Sequence, residues 1–335
     1  MKNKIVVYVL CLLLVMVGAI QGCADKEVNW TFQSGQVSSN IYFMQEFEDC
    51  VKRIADRTDG KFNISIAYAG ELGIKTVDFP YAVGRGDVEI SVIGSGEMEG
   101  IWHGLHVLQL PFFVRNQDDV IKAWNATKSN FVPSWGEMGF QMISPDTLFV
   151  FGPQELITSK PIPDMMNLEG LRIRIWRTGD AELIKALGAE PIQMSFSEVY
   201  MALQRGAVDG IVTSAAGMVE TSLYEPGEHF YRVGFAPGSQ WAVVNVEAFE
   251  ALPDEYKTIL VEEFEASCTA NRDMYWTDIE NSSEKLRSFG VTVNELPQPV
   301  VDTWVKAALP IWEAWGIEES GNQEILDAAM KALGL

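Results

Sequence analysis

The chain has 335 residues and a mass of 37.3 kDa, enough for about two domains. Its residues are 47% hydrophobic and 21% charged, which rules out a disordered or collagen-like chain. A net charge of -21 with no local basic patch excludes nucleic acid as a partner. It does not exclude a small anion, which answers to the few residues around it.

The N-terminus carries Lys2 and Lys4, then an apolar run from Ile5 to Ile20, then Gln21-Gly22-Cys23. A basic start, an apolar stretch too short to span a bilayer and a small residue before the cut describe a secretory signal over residues 1–22. Ile20-Gln21-Gly22-Cys23 resembles a bacterial lipobox, which implies a lipid on Cys23 and a protein tethered to a membrane outside the cytoplasm. Cleavage there removes two lysines and no acid, so the mature chain is more acidic still. No later segment is apolar enough to cross a membrane.

Alternation predicts strands over Val28–Phe32, Phe62–Ala67 and Val88–Ile93, with helices over Ile41–Thr58 and Thr76–Val83 between them. That order describes a mostly parallel α/β lobe. A helix follows from Gln117 to about Met138. The pattern then restarts, with strands at Thr147–Phe151, Leu156–Thr158 and Leu171–Ile175, helices at Ala181–Leu187 and Ser197–Arg205, and strands at Ile211–Thr213, Tyr231–Val233 and Trp241–Val246. Between Pro253 and Gly290 runs one helix of about 54 Å, long enough to cross both lobes. Helices from Pro299 and Asn322 close the chain. With no flexible linker between the halves, strands carry the chain across. The expected first lobe is 23–148 with about 240–276, and the second is 149–239 with about 277–335.

Enzyme signatures are missing: there is no GxSxG, HExxH, GxxxxGK[ST] or post-strand GxGxxG. His103 and His106 lack further ligands for a metal, and Glu97 with Glu99 reads as a solvated acidic edge. Neither metal nor cofactor is expected. Cys50 and Cys268 sit in helical patterns, either paired in an oxidising compartment or as small core residues. Arg172 and Arg174 share one face of an apolar strand, where a guanidinium either grips a ligand carboxylate or serves a structural ion pair.

The segments Leu168-Glu-Gly-Leu-Arg-Ile-Arg174, Leu187-Gly-Ala-Glu-Pro191, Met194-Ser-Phe-Ser-Glu-Val-Tyr200, Ala202-Leu-Gln-Arg-Gly206 and Val208-Asp-Gly210 occur in order. Together they resemble the solute-binding proteins of TRAP (tripartite ATP-independent periplasmic) transporters. Weaker pieces agree, including Gly70-Glu-Leu-Gly73, Leu110-Pro-Phe-Phe113 and Ala251-Leu-Pro253, and they cover nearly the whole mature chain.

The resemblance implies a two-lobed periplasmic-binding-protein fold, α/β throughout, with no enzymatic activity. Its partners would be an organic acid and the membrane permease subunits, which use an ion gradient for uptake. A receptor feeding a sensor is the alternative use of the same fold. By its place in Gly-Leu-x-x-Arg, Arg174 is the implied carboxylate anchor, and Phe196 the aromatic residue against the ligand. After Val208-Asp-Gly210, where many members carry Gln-Glu-Asn, this chain has Ile211-Val-Thr213-Ser214, so Thr213 or Ser214 would donate instead. Where many members carry a second arginine, this chain has the neutral Gln154, which disfavours C4-dicarboxylates and sugar acids. Trp176 and Trp241 suggest a flat apolar pocket for an aromatic or bulky monocarboxylate. Ser95 and Gln33 resemble pocket positions of the first lobe.

Overall fold

The computed structural model describes residues 27–40, 42–98 and 100–335. The signal segment, the lipobox with Cys23, and Ile41 and Glu99 lie outside them. The first sheet is built from β1 (Val28–Gln33), α1 (Tyr42–Arg57), β2 (Phe62–Ala67), α2 (Phe79–Arg85) and β3 (Ile90–Gly94). Both β2 and β3 pair with β1 in parallel, as alternating strands joined by helices require. After β3 come α3 (Ser95–Met98), α4 (Gln117–Thr127) and α5 (Val132–Trp135), then β4 (Phe140–Met142) and β5 (Leu148–Pro153).

The second sheet takes β6 (Glu155–Thr158), β7 (Arg172–Ile175), α6 (Thr178–Ala186), β8 (Glu190–Gln193), α7 (Val199–Gln204), β9 (Gly210–Thr213), α8 (Ala215–Glu220) and β10 (His229–Arg232). The chain then returns through β11 (Pro237–Asn245), α9 (Val246–Glu250), α10 (Asp254–Ser288), β12 (Thr292–Glu295), α11 (Gln298–Glu318) and α12 (Asn322–Leu333). Strand order is β2-β1-β3-β11-β4, with β5 also on β11, in one sheet, and β12-β10-β6-β9-β7-β8 in the other. The result is the expected two-lobed α/β architecture, and no helix among the described residues is long and apolar enough to cross a membrane.

Two neighbouring strand crossings join the sheets. Gln154 separates β5 from β6, and residues 233–236 separate β10 from β11. The crossings are hydrogen-bonded to each other, Gln154 N to Ala236 O at 2.9 Å and Phe235 N to Gln154 O at 3.0 Å. The Glu155 carboxylate accepts from the amides of Val233 and Gly234, the latter at 2.7 Å. Third is α10, which packs on α1 and β5 in one lobe and on α8 in the other.

Several expectations shift at their edges. The helix expected over 117–138 ends at Thr127 and breaks into short turns around Pro133, whose ring nitrogen has no hydrogen to give to a helix interior. Strands β4, β8 and β12, of three or four residues, are not among those expected from the sequence. The lobe division also moves. Trp304 and Ala308 of α11 pack into the second lobe, but Leu326 and Ala329 of α12 join the first-lobe core beside α4, so 277–335 does not go to one lobe. Cys50 and Cys268 are free thiols in one apolar cluster between α1 and α10, and the Cys268 thiol donates to Leu148 O at 2.9 Å.

Candidate functional site

Between the lobes lies a cavity of about 310 Å³, walled by both sheets and by α10. Arg174 enters it from β7, between β8 and β9. Its neighbour on the same strand face, Arg172, is spoken for: two nitrogens reach the Asp209 carboxylate at 3.0 and 3.1 Å at the lobe's rim. Arg177 is likewise matched, buried against Asp180 at 2.8 Å. Arg174 is only 1% exposed, and no carboxylate pairs with it among the described residues.

Main-chain carbonyls hold it instead. Nε and Nη2 donate to Met194 O at 3.2 and 3.0 Å, and Nη1 donates to Val212 O at 3.1 Å. A guanidinium has five N–H groups, so one remains on each terminal nitrogen, the fork that a carboxylate accepts. Burial pushes its pKa down to about 10, against the pull of Asp180, Glu97 and Glu198. It therefore stays charged at neutral pH, a buried cation that lacks an anion.

Counting Arg174, the structure brings together at the cavity five of the eight expected ligand residues. Thr213 ends β9 at the cavity wall, and Phe196 faces it from a short turn capped by Ser195 and Glu198. Gly217 of α8 has no side chain to hold these two apart; a Cβ there would lie 2.8 Å from Thr213 Oγ1 and 3.3 Å from Phe196 Cζ. Ser214 is used structurally, accepting from Gly217 N at 3.1 Å as the cap of α8. Gln154 faces the cavity from the hinge, and its buried Nε2 lacks a partner. Trp176 crosses the cleft: its Nε1 donates to Glu97 Oε1 at 3.1 Å, and its ring lies on Gly94 and Gly96. A Cβ at those glycines would come within 2.7 and 3.0 Å of the indole.

Three expected residues are elsewhere. Trp241 is fully buried in the first-lobe core, its ring centroid 4.9 Å from that of Trp124 and 5.7 Å from that of Trp135. Side chains alternate along β11, so it is Gln240 that faces the cavity. Gln33 does not line it; its amide donates to the carbonyls of Ser34 and Ala67 at 2.8 and 3.3 Å and ties β1 to β2. Ser95 is buried at the start of α3, and the next two residues, Gly96 and Glu97, line the cavity in its place.

Sequence reasoning overlooked the acids. Glu97, expected at a solvated edge, is a cavity residue, and burial raises its pKa although the Trp176 indole opposes this. Glu220 closes α8 and reaches the opposite lobe, where Oε1 accepts from the amides of Val37 and Ser38 at 2.9 and 3.2 Å. Burial pushes its carboxyl up to about 7. Asp278 lines the cavity from α10, as do Asn271 and Tyr275. Their four- and three-residue spacing puts all three on one face of the helix, a polar stripe the sequence displays. Phe43, Val150 and Phe151 complete the apolar wall, with the Phe151 and Trp176 ring centroids 6.2 Å apart.

Two α/β lobes, joined by paired strands and a long helix and contributing walls to one cavity between them, define a bilobed solute-binding protein. The pattern of the bacterial extracellular solute-binding protein family 7 (DctP) matches residues 34–319, and the chain belongs to that family, the solute receptors of TRAP transporters. It is an extracytoplasmic receptor and not an enzyme. A solute-binding protein of Chromohalobacter salexigens is 22% identical over 274 residues, spanning 77% of this chain and 80% of that one. DctP7 of Bordetella pertussis, a solute receptor binding pyroglutamic acid, shares the fold with a TM-score of 0.82 at 19% identity, over 90% of this chain and 99% of that one. A TRAP solute-binding protein from Desulfovibrio salexigens, solved with orotic acid, gives a TM-score of 0.81 at 20% identity, over 91% and 98%.

Proposed function

We propose that this receptor captures an organic acid by its carboxylate, which takes the two remaining N–H groups of Arg174 and a hydrogen bond each from Thr213 and Gln154. The observation that carries this is the buried guanidinium, without an ion-pair partner among the described residues, at the wall of the cavity between the lobes. An incoming anion supplies the charge that burial leaves missing. A second carboxylate finds no second cation: Gln154 is neutral, and the other cavity residues that carry charge are the acids Glu97, Glu220 and Asp278. With Phe43, Phe151, Trp176 and Phe196 as walls, the ligand is a bulky or ring-bearing monocarboxylate. The pyroglutamic and orotic acids named for the two structural neighbours are of that kind.

Closure follows from the same contacts. The Trp176–Glu97 bond and the Glu220 bonds to residues 37–38 join the lobes only when the cleft is shut. A ligand touching both walls therefore shifts the population toward the closed form, the form the permease subunits recognise for ion-driven uptake. The lipid on Cys23 would keep the receptor at the membrane. Thermal shift against mono-, di- and aromatic carboxylic acids tests the reading. A bulky monocarboxylate at 100 times its Kd adds about 2.7 kcal/mol, whereas stabilisation by small dicarboxylates alone refutes the single-carboxylate pocket.

A further inference from the structure

The charges of the cavity do not balance. One guanidinium, Arg174, shares it with three carboxyl groups, Glu97, Glu220 and Asp278. Glu97 has the Trp176 indole and Glu220 has two main-chain amides. Asp278 has neither a hydrogen bond nor an ion pair among the described residues, although burial pushes its carboxyl up to about 6 and leaves it charged at neutral pH. It stands where α10 passes the hinge, and it also walls a small adjoining recess with Gly152, Pro153 and Ala216. Arg174 enters the cavity from β7 of the second sheet and Asp278 from α10, and no hydrogen bond or ion pair joins them among the described residues, so the cation and the lone acid stand on different walls of one cavity. Three more acceptors are buried without partners at its wall, Glu97 Oε2, Glu220 Oε2 and Gln240 Oε1, the last two on residues 6% and 8% exposed, and one hydroxyl there, Tyr275 Oη, also lacks a partner.

Away from Arg174, then, the cavity offers negative charge and mostly hydrogen-bond acceptors, with the Tyr275 hydroxyl among them. A second carboxylate there would meet like charge, and an uncharged hydroxyl or ring would leave Asp278 uncompensated. A cation that donates hydrogen bonds answers both needs. We propose that Asp278 holds a positively charged nitrogen of the ligand, so that the receptor selects a zwitterion whose cationic nitrogen is set apart from its carboxylate. This assignment rests on the carboxylate site at Arg174 and adds the group at the other end.

The test is calorimetric titration of the protein with ω-amino acids of two to five methylenes. Each is set beside the unbranched acid of equal length and the matching dicarboxylate. At least one amino acid is expected to bind tenfold or more tightly than both its counterparts. Asp278→Asn keeps the shape and removes the charge; it should erase that preference while leaving the simple acids within threefold or tighter. Its unliganded thermal midpoint should equal or exceed that of the wild type, because an uncompensated charge has gone, and a lower midpoint would make Asp278 a structural residue. Equal binding with and without the nitrogen, a preference that survives in Asp278→Asn, or no amino acid bound at all overturns the assignment. Failure at the other end reads differently: n-alkylamines binding as well as the amino acids would sink the carboxylate site and leave the cation site standing.

Discussion

Replacing Arg174 with methionine separates a ligand anchor from a structural cation. In the unliganded protein three of its N–H groups satisfy Met194 O and Val212 O, so Arg174→Met frees two carbonyls and also removes a buried charge that nothing neutralises. These effects oppose each other, and the unliganded thermal midpoint should move little. In the complex the loss is one-sided. Two charge-assisted hydrogen bonds at about 1.5–3 kcal/mol each come to about 3–6 kcal/mol, or about 10²- to 10⁴-fold in Kd at 1.4 kcal/mol per decade. At a ligand concentration of 100 times the wild-type Kd, stabilisation should drop from about 2.7 to about 0.4 kcal/mol or less. Calorimetry and thermal shift on the same preparations read both numbers. Retention of affinity within threefold, with the fold intact, would refute Arg174 as the anchor.

Closure is tested at Gly94. Gly94→Ala places a Cβ 2.5 Å from Glu97 Oε2, at the end of a flexible side chain, and 2.7 Å from the Trp176 ring of the opposite lobe, a clash that opening the lobes relieves. Small-angle scattering should show a larger radius of gyration, with affinity about tenfold weaker; an unchanged radius and affinity would mean the cleft accommodates the methyl. Burial raises the carboxyls of Glu155 and Glu220 to about 8 and about 7 in the folded protein, against an ordinary value near 4.3. For acids raised in this way the folded state holds the extra protons, so their stability contribution is complete below about pH 4.3 and is lost as pH rises through 7 and 8. The thermal midpoint should therefore fall between pH 5 and 8.5, and Glu155→Gln should flatten part of that slope; a midpoint rising over this range contradicts the assignment. Trp241→Ala should lower stability by about 3–5 kcal/mol and leave ligand affinity within threefold. A selective loss of affinity would put Trp241 back at the ligand.

The elements most legible in the sequence are those whose signal is local. Pro253 and Gly290 bracket α10 to within a residue of its observed ends. Alternation over Phe62–Ala67 places β2 correctly, and period two sets Arg172 and Arg174 on one strand face. The motif order from Leu168 to Gly210 is enough to mark the family. Strands β4, β8 and β12 have no counterpart among the strands expected from the sequence although β6, β7, β9 and β10, similarly short, do, and strands of this length form only where a neighbouring strand supplies the hydrogen bonds.

The site depended on pairings that sequence spacing does not record. Two arginines of equal standing in β7 part company because Asp209, from the loop before β9, folds back onto Arg172, while Arg177 occupies Asp180 and leaves Arg174 without an acid. Adjacent residues of β11 divide in the same way: the crossing strand turns Gln240 to the cavity and Trp241 into the core. Glu97, Glu220 and Asp278 lie more than a hundred residues from one another, or nearly sixty at the closest, and meet only because two lobes and one helix wall a single cavity. Periodicity determines which face a side chain takes, because it follows from the local backbone geometry. Which charge that face meets, and whether the charge is already neutralised, is decided only when distant segments pack.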